Sequence, residues 1–193
     1  VAESDALAGR AVRCEGGTVR LETPAARALL SVRMNPASDS RWIGEALGVP
    51  WRSAPLKLHS GGKVRWWSTA PGVWLIDGPA DHEHAIQQQL NLACAAVNAM
   101  VTVISDAWGV LLLSGPESAL RDLFERAGPV GTEVLDGACI ATRFGPFAAV
   151  LFDAGIEGAT TDPTLRLIEL RVERPLVESF RQWWIRLGAL PAA

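Results

Sequence analysis

Two stretches of the chain, offset by roughly eighty residues, run through the same order of strand, helix, hairpin and helix, and this recurrence limits the folds open to it. A period that long suits a duplicated half-domain better than a solenoid. Hairpins dominate and strands outnumber helices. That combination calls for an α+β fold of duplicated half-domains, built from antiparallel strands and helices, instead of a doubly wound parallel sheet. The expected organisation is a flexible N-terminal arm over residues 1–17, which are small, polar or Gly-rich. A single α+β domain over 18–193 follows, with pseudo-repeated halves at about 18–100 and 101–190.

The elements are legible from periodicity and punctuation. Val19 and Leu21 alternate with charged neighbours as a short strand, and Ala28 to Met34 form a second. Asn35-Pro36 breaks it, and Ser38 or Asp39 is placed to cap a helix carrying Trp42, Ile43, Ala46 and Leu47, with Gly48 as its left-handed stop. Strand-like pieces at Leu56–Leu58 and Val64–Trp67 precede a turn at Ala70-Pro71-Gly72 and a strand over Val73–Ile76. Asp81 is the expected cap of a longer helix with Ile86, Leu90, Ala93 and Val97 on one face.

In the second round, strands at Val101–Ile104 and Gly109–Leu113 lead into Ser114-Gly115-Pro116-Glu117. Ser114 and Glu117 have capping-box spacing for a helix that buries Ala119, Leu120, Leu123 and Phe124. Its outer side carries acid-first pairs, Glu117/Arg121 and Asp122/Arg126. A hairpin is expected at Cys139–Phe144 and Phe147–Phe152, then a polar loop from Gly155 to Pro163 and a strand over Thr164–Val172. Its apolar phase switches between Leu167 and Ile168, which implies either a bulge or burial of both faces. The last helix directs Leu176, Phe180, Trp183, Trp184 and Leu187 inward or toward a partner.

Charge excludes some functions. The net charge is -3, only Lys57 and Lys63 are lysines, and the arginines are scattered, so no nucleic-acid footprint is present. No apolar run reaches the ~18 residues of a membrane span. Val1-Ala2-Glu3-Ser4-Asp5 lacks a leader's basic region, and Cys14, Cys94 and Cys139 are odd in number and far apart. The expectation is a cytoplasmic protein with reduced thiols.

Candidate chemistry is sparse. His82-Glu83-His84 places its imidazoles about 200° apart on a helix, so they cannot share an ion. His59 beside Ser60-Gly61-Gly62 reads as a loop histidine. Ser114-Gly115-Pro116 matches neither a phosphate loop nor a nucleophile elbow. The acids Asp77, Asp81, Asp153, Glu157 and Asp162 fall in turns or beside helix starts. Asp106, between two apolar segments, could pair with an Arg, make a turn, or touch a ligand. No catalytic, cofactor-binding or metal residue is assigned.

Eight tryptophans and no tyrosine remain to be explained. Either the core is rich in Trp, or part of this surplus lies at an interface, where Trp is enriched. Trp66-Trp67 point to opposite faces of a strand and Trp183-Trp184 diverge by about 100° on a helix, so these four are the candidate partner interface.

The segment Val103-Ile104-Ser105-Asp106-Ala107-Trp108-Gly109-Val110-Leu111-Leu112-Leu113-Ser114-Gly115-Pro116 resembles the central signature of sarcosine oxidase gamma subunits. The likeness extends to Gly137–Thr142, Phe180–Trp184, Leu30–Pro36 and Val73–Ile76, and so covers the chain from about residue 18 onward. It departs from the family at Ala70–Leu75 and Arg126–Gly128. The resemblance implies a folate-binding-domain-like fold, similar to the glycine-cleavage T-protein. It further implies a non-catalytic gamma subunit in an alpha-beta-gamma-delta flavoenzyme that demethylates sarcosine or a related N-methyl amine. The methyl group would pass to tetrahydrofolate or leave as formaldehyde, with hydrogen peroxide as the other product. FAD, FMN, NAD, zinc and tetrahydrofolate would belong to the partners and none to this chain. The alternative is a stand-alone folate-binding or aminomethyltransferase-like protein, with Asp106 as its one acid for the pterin.

Overall fold

The structure is a computed structural model and describes residues 11–154 and 164–189. Its elements in chain order are β1 (Ala11–Cys14), β2 (Gly17–Glu22), β3 (Arg27–Arg33), α1 (Arg41–Leu47), β4 (His59–Gly61), β5 (Val64–Ala70) and β6 (Val73–Pro79). There follow α2 (Glu83–Cys94), β7 (Met100–Val103), β8 (Trp108–Pro116), α3 (Glu117–Ala127), β9 (Cys139–Phe144), β10 (Phe147–Asp153), β11 (Leu165–Glu173) and α4 (Val177–Ala189). All strand pairs are antiparallel, as the hairpin-dominated sequence requires.

The chain divides into two compact units, residues 26–106 and residues 1–25 with 107–193. The expected boundary between residues 100 and 101 is therefore displaced at both ends. Met100–Val103 pairs with β3 of the first unit, from Leu30↔Val103 to Arg33↔Met100. Gly17–Glu22 pairs with β8 of the other, through Arg20↔Ser114, Leu21↔Leu113 and Glu22↔Leu112. The expected loose arm is corrected from residue 11 onward. Val12 and Cys14 are buried while Arg13 is exposed, the period of two that makes β1 a strand paired with β2. Residues 1–10, the loop Gly155–Pro163 and the chain's last four residues lie outside the described part.

Unit 26–106 is a five-stranded sheet in the order β4-β5-β6-β3-β7. One face packs Ala28, Leu30, Val32, Trp66, Trp74 and Ile76 against Trp42 and Ile43 of α1 and Ile86 and Leu90 of α2. Gly48 closes α1 in the left-handed conformation, φ 65°. Ser40, not Ser38 or Asp39, stands at the start of α1, and Asp39 instead accepts from Arg41 N at 2.9 Å. Asp81 lies in a separate helical turn before α2, and of the expected piece Leu56–Leu58 only Lys57 makes an isolated bridge, after a turn at Pro55–Leu56.

The second unit is a six-stranded sheet, β1-β2-β8-β11-β10-β9. Its core gathers Leu111, Leu113, Leu151, Ile168 and Leu170 under Leu120, Leu123 and Phe124 of α3 and Phe180, Trp184 and Leu187 of α4. The acid-first pairs on α3 form, Arg121 to Glu117 at 2.7 Å and Arg126 to Asp122 at 3.6 Å. The capping box does not. β8 runs on through Pro116, and the Ser114 hydroxyl turns toward Glu22 on β2 at 3.4 Å. β11 pairs with β8 in unbroken register from Leu165↔Pro116 to Glu173↔Trp108. Its phase switch is thus no bulge; residues Leu167 to Val172 are buried on both faces.

Phe180 contacts Phe144, Phe147, Trp183 and Trp184 with ring separations of 5.3 to 6.5 Å. Phe180→Ala should lower stability by about 3–5 kcal/mol, measured by urea unfolding. Met100→Ala, on exposed edge strand β7, should change it by less than about 0.5 kcal/mol.

Candidate functional site

Three of the four tryptophans expected at an interface are interior groups of the chain. Trp66 and Trp67 are both 0% exposed and Trp184 is 1% exposed. β5 lies between β4 and β6, so neither of its edges is open. Trp66 stacks on Trp51 at 5.0 Å and donates Nε1–H to Arg52 O at 2.9 Å. Trp183 is partly buried, set edge-on to Phe144 at 5.7 Å and Phe147 at 6.0 Å. A Cβ at Gly145, which turns β9 into β10 with φ 58°, would run into the Trp183 ring. Trp66, Trp67 and Trp184 thus belong to the core, and Trp183 lies partly buried beside it.

The other candidates stay apart. His84 meets Gln88 at 2.8 Å, His82 faces Asp81 at 3.9 Å, and His59 stacks on Trp66 at 5.9 Å. Among the described residues no group of three or more His, Cys, Asp or Glu comes together as a metal site. Asp106 is exposed in a short helical turn, Ser105–Ala107. No helix among the described residues is long and apolar enough to cross a membrane.

The strongest electrostatic feature was not read from the sequence. Asp77, on β6, is 0% exposed and takes Arg27 Nε at 2.8 Å and Arg65 Nε at 2.6 Å. A buried carboxylate needs such partners to remain charged. The signal was available. Asp77 continues the Val73-Leu75 phase of β6, and Arg65 stands directly opposite it in the register. A second pair lies on β11, where Arg171 donates to Glu169 at 2.7 Å and sits 5.6 Å from the Phe152 ring centre.

Burial pushes the thiol of Cys139 up to about 12. Burial, helped by a hydrogen bond with Asp122, pushes that of Cys14 up to about 11. Neither is a thiolate nucleophile near neutral pH, since only the thiolate attacks.

One open pocket of about 580 Å³ lies within unit 26–106. The end of β3 with the following turn supplies Met34, Pro36, Ser38, Asp39 and Ser40. The loop before β4 supplies Ser53, Pro55 and Leu56, and the β5–β6 hairpin supplies Ser68 to Gly72 and Trp74. Trp51 Nε1 donates to Ser40 Oγ at 3.0 Å, tying the loop to the start of α1. Asp39 is the one charged lining residue, and the Arg41 side chain holds its carboxyl below the usual range. Asp106 is not in the lining.

No protein-family model and no curated protein sequence matches the chain. Solved structures do. A chain of the heterotetrameric sarcosine oxidase from Corynebacterium sp. U-96 in complex with pyrrole 2-carboxylate superposes with a TM-score of 0.75 at 19% identity, over 98% of this chain and 95% of that one. The glycine cleavage system aminomethyltransferase T from Bartonella henselae gives a TM-score of 0.63 at 13% identity, over 86% of this chain and 45% of that one. The chain thus spans under half the length of the aminomethyltransferase and nearly the whole of the sarcosine oxidase chain. It has the α+β, folate-binding-like fold that these proteins share.

Two outcomes check this chemistry. Asp77→Asn should cost about 3 kcal/mol or more in chemical denaturation, because two guanidiniums lose their buried carboxylate. A thiol reagent near neutral pH should label Cys94 alone in the native protein and all three cysteines after unfolding.

Proposed function

We propose that this chain is a structural subunit, of the gamma type, in a heterotetrameric sarcosine oxidase-like flavoenzyme, and that it performs no chemical step itself. The observation that carries this is the end-to-end match to one chain of such an oxidase, 98% of one against 95% of the other.

The residues that resemble the gamma-subunit signature have structural work here, which supports the same reading. Ser105 Oγ accepts from Leu29 N at 2.8 Å and also bonds Glu83, fastening the end of β7 to β3 and α2. At Gly109 a side chain would collide with Val177 at the start of α4. Leu111 and Leu113 fill the core under α3 and α4. Packing accounts for these positions without a substrate.

In this assignment the alpha, beta and delta subunits carry FAD, FMN, NAD, zinc and tetrahydrofolate. Oxidation of the N-methyl amine takes place there, and the chain acts in assembly in the cytoplasm. The second reading, a folate-binding protein acting alone, draws on the likeness to aminomethyltransferase T.

Purification of the tagged chain from its native cells decides between them. The expected result is a yellow complex containing about three further chains, with flavin absorbance and amine-dependent peroxide formation. A colourless single chain would overturn the proposal, and tetrahydrofolate binding by that chain would favour the alternative.

A further inference from the structure

The two sheets end on β1, β9, β4 and β7, and three of these edge strands are guarded. β1 carries Arg13, whose carbonyl accepts from Arg126 Nη1 at 2.9 Å. β9 carries Arg143, and β4 ends in Gly61 with Lys63 in the turn that follows. Charged side chains and glycine discourage an edge from adding a further strand. β7 has neither. Its residues, Met100-Val101-Thr102-Val103, are uncharged, and three of the four are β-branched. Met100 is 55% exposed.

The ladder register fixes which backbone groups this edge leaves open. Ile104 N donates to Leu29 O at 2.8 Å, and at the other side of β3 Met34 N donates to Gly72 O at 2.9 Å. In an antiparallel ladder, residues that exchange hydrogen bonds alternate with residues that do not. Odd-numbered residues of β3 therefore face β7, and even-numbered ones face β6. Opposite Arg33 and Ser31, Met100 and Thr102 turn their backbone groups toward β3. Val101 and Val103 turn theirs outward, and among the described strands β7 pairs with β3 alone. The side chains of the same two valines pack against the core of unit 26–106, which holds the edge in its extended form.

We propose that β7 is the docking edge for an extended segment of a partner chain, which joins the sheet as a sixth strand by pairing with the backbone of Val101 and Val103. The proposal rests on the subunit assignment above. Outward donors and acceptors two residues apart select a strand, because a helix keeps its own backbone groups paired. Four residues span about 13 Å, too little to supply the roughly 800 Å² per side of a stable dimer. The edge thus suits a partner held at other surfaces as well, and not a second copy joined here alone. On the core side the segment presents β-branched or other apolar residues beside Val101 and Val103. On the opposite side Arg33 is exposed, stands across from Met100 and has no carboxylate partner among the described residues. An acidic residue of the segment, two strand spacings or about 10 Å away, complements it.

The test uses the tagged chain purified from its native cells, with hydrogen exchange of residues 100–104 followed by mass spectrometry in the complex and in the chain freed from it. The expected result is that two further amides, those of Val101 and Val103, become at least about tenfold slower in the complex. Val101→Pro and Val103→Pro each remove one outward N–H and keep the bonds to β3, as an edge strand allows. Thermal unfolding of each variant shows that it is folded, and each should retain about tenfold less partner, whose carbonyl has lost its donor. Arg33→Glu should retain less as well, with the loss shrinking at high salt. If these amides exchange equally fast in both samples and the folded proline variants keep their partner, the docking edge is refuted while the subunit assignment stands. Protection that appears in the freed chain and rises with its concentration would make a second copy the occupant and overturn the proposal. If wild type itself brings down no partner, both are refuted.

Discussion

The central strands of both sheets have no solvated side, and most of what distinguishes this protein follows from that constraint. β6 is buried from Trp74 to Gly78, β3 from Ala28 to Val32, and β11 from Leu167 to Val172. One face of each sheet meets its own helices. On the other face Leu29, Trp67 and Leu75 are buried in one unit, and Val150, Phe152 and Leu167 in the other. Any polar group placed there must bring its partner with it. Asp77 does so with two arginines from neighbouring strands, and Glu169 with Arg171 two residues along the same strand. Charge inside this molecule is committed to structure.

The same constraint explains why a search for chemistry finds little. The thiols of Cys14 and Cys139 are kept protonated by burial, and Asp77 is enclosed by guanidiniums. Two further acids of the second unit, Glu117 and Asp153, serve as ties to arginines. Glu117 meets both Arg121 and Arg166, and these two guanidiniums hold its carboxyl below the usual range. Asp153 takes Arg166 as well.

Much of the architecture was legible where a single period ruled. The hairpin of β9 and β10, the buried face of α3 and the antiparallel class all follow from alternation and turn residues. Other features needed information that local patterns do not contain. A strand buried on both faces looks the same in sequence as one that carries a bulge, and only the register of β11 on β8 separates them. Ser114 and Glu117 satisfy a capping pattern, yet β2 pairs alongside and keeps the Ser114 backbone extended. Trp66-Trp67 suggested one exposed ring because the sequence does not say that both faces are covered. The pocket was hidden for a related reason, since its lining comes from three separate segments and its one acid passed for a helix cap.

The six-stranded sheet is assembled from both ends of the described chain, with unit 26–106 intervening between β2 and β8. This sets an order of events during translation. β1 and β2 leave the ribosome long before β8 exists, and a two-stranded hairpin in water is at best marginally stable. Unit 26–106, whose strands all pair among themselves, can complete its sheet first. The early hairpin must then wait, unpaired along one edge, until β8 emerges. Closing so long a loop makes docking of β2 on β8 a late step, and the interval before it is when a newly made chain exposes its most vulnerable backbone.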